Sequence, residues 1–243
     1  RCLGNLAGGD LGPAIKYPGR SVNAVIADRL PPTLLLGGYA LALAVAIGVA
    51  LGVLGARLHN TVVDHASMLV ALLGLSVPMF VIGPLLLLGF QTAWGLVEPP
   101  GEHGVSFAYL TLAALCLAAP FAARIARLAR AGMLEVVHQD FARTARAKGV
   151  PEWRVVTQHC LRGALGPVLS FLGPAVAAVL TGSLVVESIF LLKGLGWEFV
   201  FAAINRDYTL VIGTVIVYSS LLIVANLVVD LCYGLLDPRV RYE

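Results

Sequence analysis

Five long stretches of the chain are almost continuously apolar, and the polar residues collect between them. They run approximately from Thr33 to Ala56, Met68 to Trp94, Phe107 to Arg124, Leu165 to Leu192 and Thr209 to Leu236. A bilayer core about 30 Å thick takes about 20 apolar residues in a helix rising about 1.5 Å per residue, so each stretch predicts a membrane span. Pro78, Pro84, Pro120 and Pro174 interrupt helical hydrogen bonding and predict kinks within these spans. Gly48 and Gly52, with Gly55 following, predict a surface on which another helix packs closely, which is a packing statement with no chemistry attached.

Composition agrees with an all-α membrane protein. Of 243 residues, 58% are hydrophobic and 13% charged, and the mean hydropathy is +0.87. A water-exposed globule needs roughly a quarter of its residues charged, so this composition excludes an ordinary soluble domain. A net charge of +3 is too small to argue for a nucleic-acid partner. Cys2, Cys116, Cys160 and Cys232 show no CxxC spacing, and His59, His65, His103, His138 and His159 make no HExxH pair, so neither a disulfide framework nor a metal site follows.

Lys and Arg accumulate on the cytoplasmic side of membrane proteins. Between the third and fourth spans lie Arg124, Arg127, Arg130, Arg143, Arg146, Lys148, Arg154 and Arg162, against Glu135, Asp140 and Glu152, which makes this loop cytoplasmic. The loop holding Glu98, Glu102 and His103 lacks Lys and Arg, and the loop with Lys193, Glu198, Arg206 and Asp207 is balanced, so both are external. By parity the N-terminal end is outside and the tail with Arg239 and Arg241 inside. An outside end without a signal peptide predicts a further span upstream of Arg1, giving six in the intact protein. The expected division is an external segment over 1–32 and a membrane domain over 33–243, with a cytoplasmic loop at about 125–164.

A carboxylate inside a span costs several kcal/mol unless paired or wet, which singles out Glu187 and Asp230. Glu187 either lines a water-filled pathway or anchors an external turn. Asp230 lies one helical turn from Asn226, and the two form either an interhelical hydrogen-bond pair or a substrate contact. Ser183 and Glu187 share a helix face, but no histidine accompanies them in that span, which disfavours an intramembrane serine protease. The three lysines are followed by Tyr17, Gly149 and Gly194, so none belongs to a P-loop, whose lysine precedes Ser or Thr. If ATP drives the protein, another polypeptide binds it.

The segment from Glu135 to Arg162 carries the most information. Its first half is a good helix former that stops at Gly149, and Pro151 suits the first turn of a second helix running toward Arg162. Ala142, Ala145 and Ala147 allow another backbone to come close, Phe141 can anchor in a pocket, and Arg143, Arg146 and Lys148 can pair with acidic groups. A basic amphipathic loop lying on anionic headgroups is the alternative.

The run Arg143-Thr-Ala-Arg-Ala-Lys-Gly149 resembles the cytoplasmic signature of permease subunits of binding-protein-dependent ABC importers, in the version of the oligopeptide and dipeptide subfamily. Gly182-Ser-Leu-Val-Val-Glu187, Asn205-Arg-Asp-Tyr208, Asn226-Leu-Val-Val-Asp230 and Leu236-Asp-Pro-Arg239 resemble the same subfamily, and Leu11-Gly-Pro13 and Ser76-Val-Pro78 are compatible with it. The pattern is most similar to the first of the two permeases. Against the general importer motif, Arg143-Thr-Ala145 replaces Glu-Ala-Ala and His159-Cys-Leu-Arg162 replaces an Ile-x-Leu-Pro-like close, departures the peptide subclass largely shares. Lys193 stands where that subclass usually has Pro before Gly-Leu-Gly.

The resemblance implies the transmembrane domain of a type I importer in a bacterial inner membrane. In such an importer a second homologous permease completes the pathway and two cytosolic ATPases, which bind ATP and Mg, dock on the loops. A periplasmic or lipid-anchored binding protein delivers peptide. It implies no cofactor and no catalysis in this chain, with ATPase coupling at Phe141, Ala142, Arg143, Thr144, Ala145, Arg146, Ala147, Lys148 and Gly149. The same scaffold importing nickel, glutathione or a sugar is the nearest alternative. A secondary transporter, expected to show inverted repeats, is the alternative from another class.

Overall fold

The structure, a computed structural model, describes the backbone of residues 9–101 and 104–236 and the side chains of 9–101 and 104–228. It is helical throughout, with only isolated bridges, Pro13 to Ser21 and Gly101 to Gly104, outside the helices among the described residues. The helices are α1 (Val22–Arg57), α2 (Val62–Ser76), α3 (Met79–Leu86, continued by a π-helix over Leu87–Ala93), α4 (Phe107–Val136) and α5 (Asp140–Ala147). Then follow α6 (Glu152–Arg154, continued by a π-helix over Val155–Cys160), α7 (Leu161–Ala164), α8 (Gly166–Ile189), α9 (Leu195–Ile204) and α10 (Tyr208–Leu236). Four of these, α1, α4, α8 and α10, are long and apolar enough to cross a membrane. Five spans result if α2 and the α3 stretch count as one broken span.

That break falls at Pro78, where a kink was expected, and is sharp enough to divide the stretch from Met68 to Trp94 into two helices. Pro78 has no N–H to donate and disfavours a helical residue before it, and Val77 accordingly sits at φ −85°, ψ 123°. Two other limits move. Helix α1 starts at Val22 and carries Pro31 and Pro32 inside it, ahead of the apolar stretch that begins at Thr33. Helix α4 runs on to Val136, well past Arg124, because the residues that end the hydropathy peak are good helix formers.

The chain divides into two compact units. One takes its residues from 41–78 and 118–175. In it Gly48 and Gly52 sit against α4: an added Cβ at Gly48 would lie 2.7 Å from the Ala122 carbonyl oxygen, and one at Gly52 2.5 Å from that of Ala126. The glycines are thus packing residues that let α1 and α4 touch backbone to backbone. Next to them Asp64, 2% exposed, receives Arg130 in a two-pronged contact, Nε to Oδ1 at 2.6 Å and Nη2 to Oδ2 at 2.7 Å. The Asn60 N–H also donates to Asp64 Oδ2 at 3.0 Å.

The other unit takes its residues from 1–40, 79–117 and 176–243. Its core joins Val22, Val25 and Ile26 of α1 to Leu195 and Ala202 of α9 and Leu210 of α10. Helix α9 lies within the segment expected to be only a loop. Asp207 opens α10, accepting from Leu210 N–H at 3.1 Å and from the Thr209 hydroxyl at 2.9 Å. It also holds the N-terminal segment through Lys16 N–H at 2.9 Å. Burial works against its charge, but these donors prevail and keep the Asp207 carboxyl below the usual carboxylate range.

Candidate functional site

Helix α5 and its turn form a short hairpin with α6. The helix ends in a Schellman motif: Val150 N–H donates to the Ala145 carbonyl at 3.2 Å and Gly149 N–H to that of Arg146 at 2.9 Å. Gly149 supplies the left-handed residue this motif needs, with φ +76°. Pro151 precedes α6 in extended conformation, at φ −63° and ψ 143°. The expected regular helix toward Arg162 is instead α6, a π-helix and α7 in succession.

The two faces of α5 differ sharply. Ala142 and Ala145 are buried in a cluster with Met133 of α4, Val155, Val156 and Cys160 of the π-helix, and Ala164 of α7. This corrects the expectation that the alanines form one surface for a foreign backbone: two of the three are consumed by the chain's own packing, and only Ala147 is exposed. The periodicity of the helix puts Ala142 and Ala145 three apart on one side and Ala147 off it. Phe141, Arg143, Thr144, Lys148 and Gly149 are exposed with Ala147.

Arg146 is committed internally. It donates to Glu152 Oε2 at 3.0 Å and Oε1 at 2.9 Å, and to the Val137 carbonyl at 3.0 Å, tying α5 to α6 and to the end of α4. The Arg146 guanidinium holds the Glu152 carboxyl below its ordinary value, and Glu152 raises Arg146 in return. Burial pushes the Cys160 thiol up, which suits a packing role. Beyond the hairpin, Trp153 stays half exposed with the Arg154 guanidinium 5.0 Å from its ring centroid.

The intramembrane candidates separate as well. Glu187 is 1% exposed, and its Oε2 accepts from the N–H groups of Gly196 at 2.8 Å and Trp197 at 3.1 Å, at the start of α9. Thr33 Oγ1 accepts from Leu195 N–H at 2.8 Å. Carboxylate and hydroxyl together satisfy the first turn of α9, so this geometry is an anchor of the turn after α8. No side chain fits between them, since a Cβ at Gly194 would collide with Glu187 and Thr33. Asn226 is exposed on α10, and the side chain of Asp230 lies outside the described residues, so their pairing does too.

Sequence reasoning missed the Asp64–Arg130 pair, although Thr61-Val-Val-Asp64 is a recognisable helix start: Thr61 caps α2 by accepting from Asp64 N–H. It also missed the polar group at Glu198, whose Oε2 accepts from Arg29 Nε at 3.0 Å and whose Oε1 accepts from the Tyr17 hydroxyl at 2.8 Å. Arg29 and Glu198 are 169 residues apart in sequence, and neither has a local motif to betray it.

Comparison with known proteins places this arrangement. Residues 48–242 match the family described as binding-protein-dependent transport system inner membrane component. The chain is 42% identical over 240 residues to the oligopeptide transport system permease protein OppB of Haemophilus influenzae, covering 99% of this chain and 78% of that protein. It is 42% identical over 232 residues to the dipeptide transport system permease protein DppB of Bacillus subtilis, covering 96% and 75%. Among solved structures, an amino acid ABC transporter crystallised with histidines aligns at a TM-score of 0.66 and 18% identity, over 88% of this chain and 95% of that one. The MetNI methionine ABC transporter in inward-facing form aligns at 0.63 and 16% identity, over 85% and 95%. These likenesses give the fold, that of a type I ABC importer transmembrane domain. The chain belongs to the family of inner membrane components of binding-protein-dependent transport systems.

Proposed function

We propose that this chain forms half of the translocation pathway of an ATP-driven importer of oligopeptides or dipeptides. A second homologous permease supplies the other half, two cytosolic ATPases hold the ATP and Mg, and an external binding protein delivers the peptide. The chain itself binds no nucleotide and catalyses nothing. The N-terminal end of the chain is external and the C-terminal end cytoplasmic, an orientation that the Lys and Arg bias of the loops supports. The observation that carries the reading is the 42% identity with oligopeptide and dipeptide permeases over nearly all of this chain, whose α5 hairpin is braced from within and presents Phe141, Arg143 and Lys148 outward.

Coupling follows from this division of labour. Phe141, 43% exposed, supplies an apolar anchor, and Arg143 and Lys148 supply charge around it. Movement of a docked ATPase is passed through the Arg146–Glu152 brace and the buried alanine face to the ends of α4 and α7. Phe141→Ala with Arg143→Glu removes the outward contacts and leaves the buried face intact. The expected outcome is a folded permease whose copurification with the ATPases falls about tenfold and whose peptide uptake is lost. Wild-type copurification and uptake would refute the docking role.

A further inference from the structure

A cavity of about 330 Å³ lies under the α5 hairpin, within one compact unit, and the Arg146–Glu152 brace forms part of its wall. Arg57 at the end of α1, His59, His138, Arg146 and Glu152 line it, among apolar residues of α1, α4 and the π-helix. We propose that it binds a phosphate-bearing anion, and that the bound anion stiffens the α5 hairpin.

The single acid of the lining, Glu152, is neutralised by both prongs of Arg146. The neighbouring Asp64 is neutralised by Arg130. Arg57 has no ion-pair partner within 4.0 Å among the described residues, so the cavity carries uncompensated positive charge.

Two imidazoles border the same hollow. His59 Nδ1 lies 3.1 Å from Arg130 Nη2 and 3.3 Å from Asp64 Oδ2, so His59 belongs to the Asp64–Arg130 cluster at the edge of the cavity. His138 Nδ1 is 3.0 Å from the Leu134 carbonyl and donates to it, which leaves Nε2 without a partner among the described residues. The guanidinium groups of Arg57 and Arg146 beside an apolar-sided hollow of this volume match a phosphate monoester or diester with a short carbon backbone. Two sources share that chemistry, the headgroup of an anionic phospholipid and a soluble phosphate. Because Arg146 and Glu152 belong to the hairpin and Arg57 and His138 do not, a ligand contacting both sets restrains α5 and α6. The inference rests on the cavity alone and does not depend on what the transporter carries.

The test is hydrogen exchange of the segment 140–160 in the detergent-purified transport assembly. The probes are dihexanoyl phosphatidylglycerol, inorganic phosphate, glycerol phosphate and, as a zwitterionic control, dihexanoyl phosphatidylcholine. Phosphatidylglycerol should slow exchange saturably and the control should not. Arg57→Gln should raise the half-saturating concentration about tenfold, and Arg57→Lys by much less. His138→Gln should raise it several-fold. Each variant should match wild type in unliganded exchange; if Arg57→Gln does not, His138→Gln carries the comparison. Protection by inorganic or glycerol phosphate at or below the lipid concentration identifies a soluble ligand, and protection by phosphatidylglycerol alone identifies a headgroup. Absence of protection by every phosphate probe, or an unchanged response in the Arg57→Gln, His138→Gln double variant, overturns the proposal.

Discussion

Asp64 and Glu187 are both acids almost wholly removed from water, at 2% and 1% exposure, and the two units of the chain satisfy them by opposite means. Asp64 faces a full positive charge, Arg130, in a fork geometry that matches both carboxylate oxygens. Glu187 faces no cation among the described residues and rests one oxygen on two backbone N–H groups at the start of α9. Its second oxygen, Oε1, has no hydrogen-bond partner among the described residues, and neither does the buried Tyr218 hydroxyl. An ion pair is broken by removing either member, whereas an amide-held carboxyl tolerates any side chain that can still accept. The difference is one of chemistry required at each position: a charge at Asp64, an acceptor at Glu187.

Breaking the ion pair should produce the largest effect. Arg130→Ala leaves the buried Asp64 carboxylate without its arginine, at an expected cost of about 3–5 kcal/mol, the range for a buried charge that has lost its partner, with the Asn60 N–H still donating to it. Arg130 is itself 24% exposed on its side chain, which favours the lower end. Asp64→Leu with Arg130→Leu should recover much of the loss, because both charges go together. Equilibrium unfolding of the purified chain in mixed micelles measures both. A double variant no more stable than Arg130→Ala would show that the pair is needed for more than charge balance.

The second pair of variants tests the acceptor requirement. Glu187→Leu strands the Gly196 and Trp197 N–H groups and should cost about 2–3 kcal/mol. Glu187→Gln keeps an acceptor of the same reach and should cost about 1 kcal/mol or less. Equal losses in the two variants, read by the same unfolding assay, would make the charge at Glu187 essential and dissolve the contrast with Asp64.

How far the sequence could have anticipated this follows from what each signal measures. Hydropathy located the apolar cores of α1, α4, α8 and α10, because lipid demands it. It misplaced the helix ends, because Arg124, Arg127 and Arg130 lower hydropathy without opposing a helix, while Ile125, Ala126 and Ala129 keep α4 buried alongside them. The turn at Gly149 was legible because it needs one residue type at one φ. The partner of Ala142 and Ala145 was not: a small-residue face states that something packs there, and here it is the chain's own Val155 and Cys160. Asp64 and Arg130 lie 66 residues apart, and nothing local to either predicts the meeting.

The α5 hairpin offers gentler probes, since its turn is held by backbone conformation and its brace is exposed. Gly149→Ala forces a side chain into φ +76°, but a Cβ there would meet nothing within 4 Å. The loss should therefore be the left-handed backbone term alone, about 1 kcal/mol. Gly149→Asn, which tolerates that region better, should lose less. A loss well above that in the isolated chain would mean that this turn contacts something the described residues do not show.

The smallest effect belongs to the Arg146–Glu152 brace, the exposed counterpart of Asp64–Arg130. Both pairs are forked, so geometry is matched and burial is what differs: side-chain exposure is 36% and 45% here against 24% and 3% there. Solvent screens the exposed pair, and Glu152→Gln should cost less than about 1 kcal/mol. The pH dependence has a definite sign. Because Arg146 holds the Glu152 carboxyl below its ordinary value, the pair's contribution is complete above the unfolded-state pKa, about 4.3 for a glutamate. It is lost as pH falls through the lower folded value. Protection of the 140–160 amides should therefore fall in wild type on acidification below about pH 4.3, and Glu152→Gln should remove that step without altering the one due to Asp64. If the variant instead loosened the hairpin as much at pH 7 as Arg130→Ala loosens its own surroundings, burial would not be what separates the two pairs.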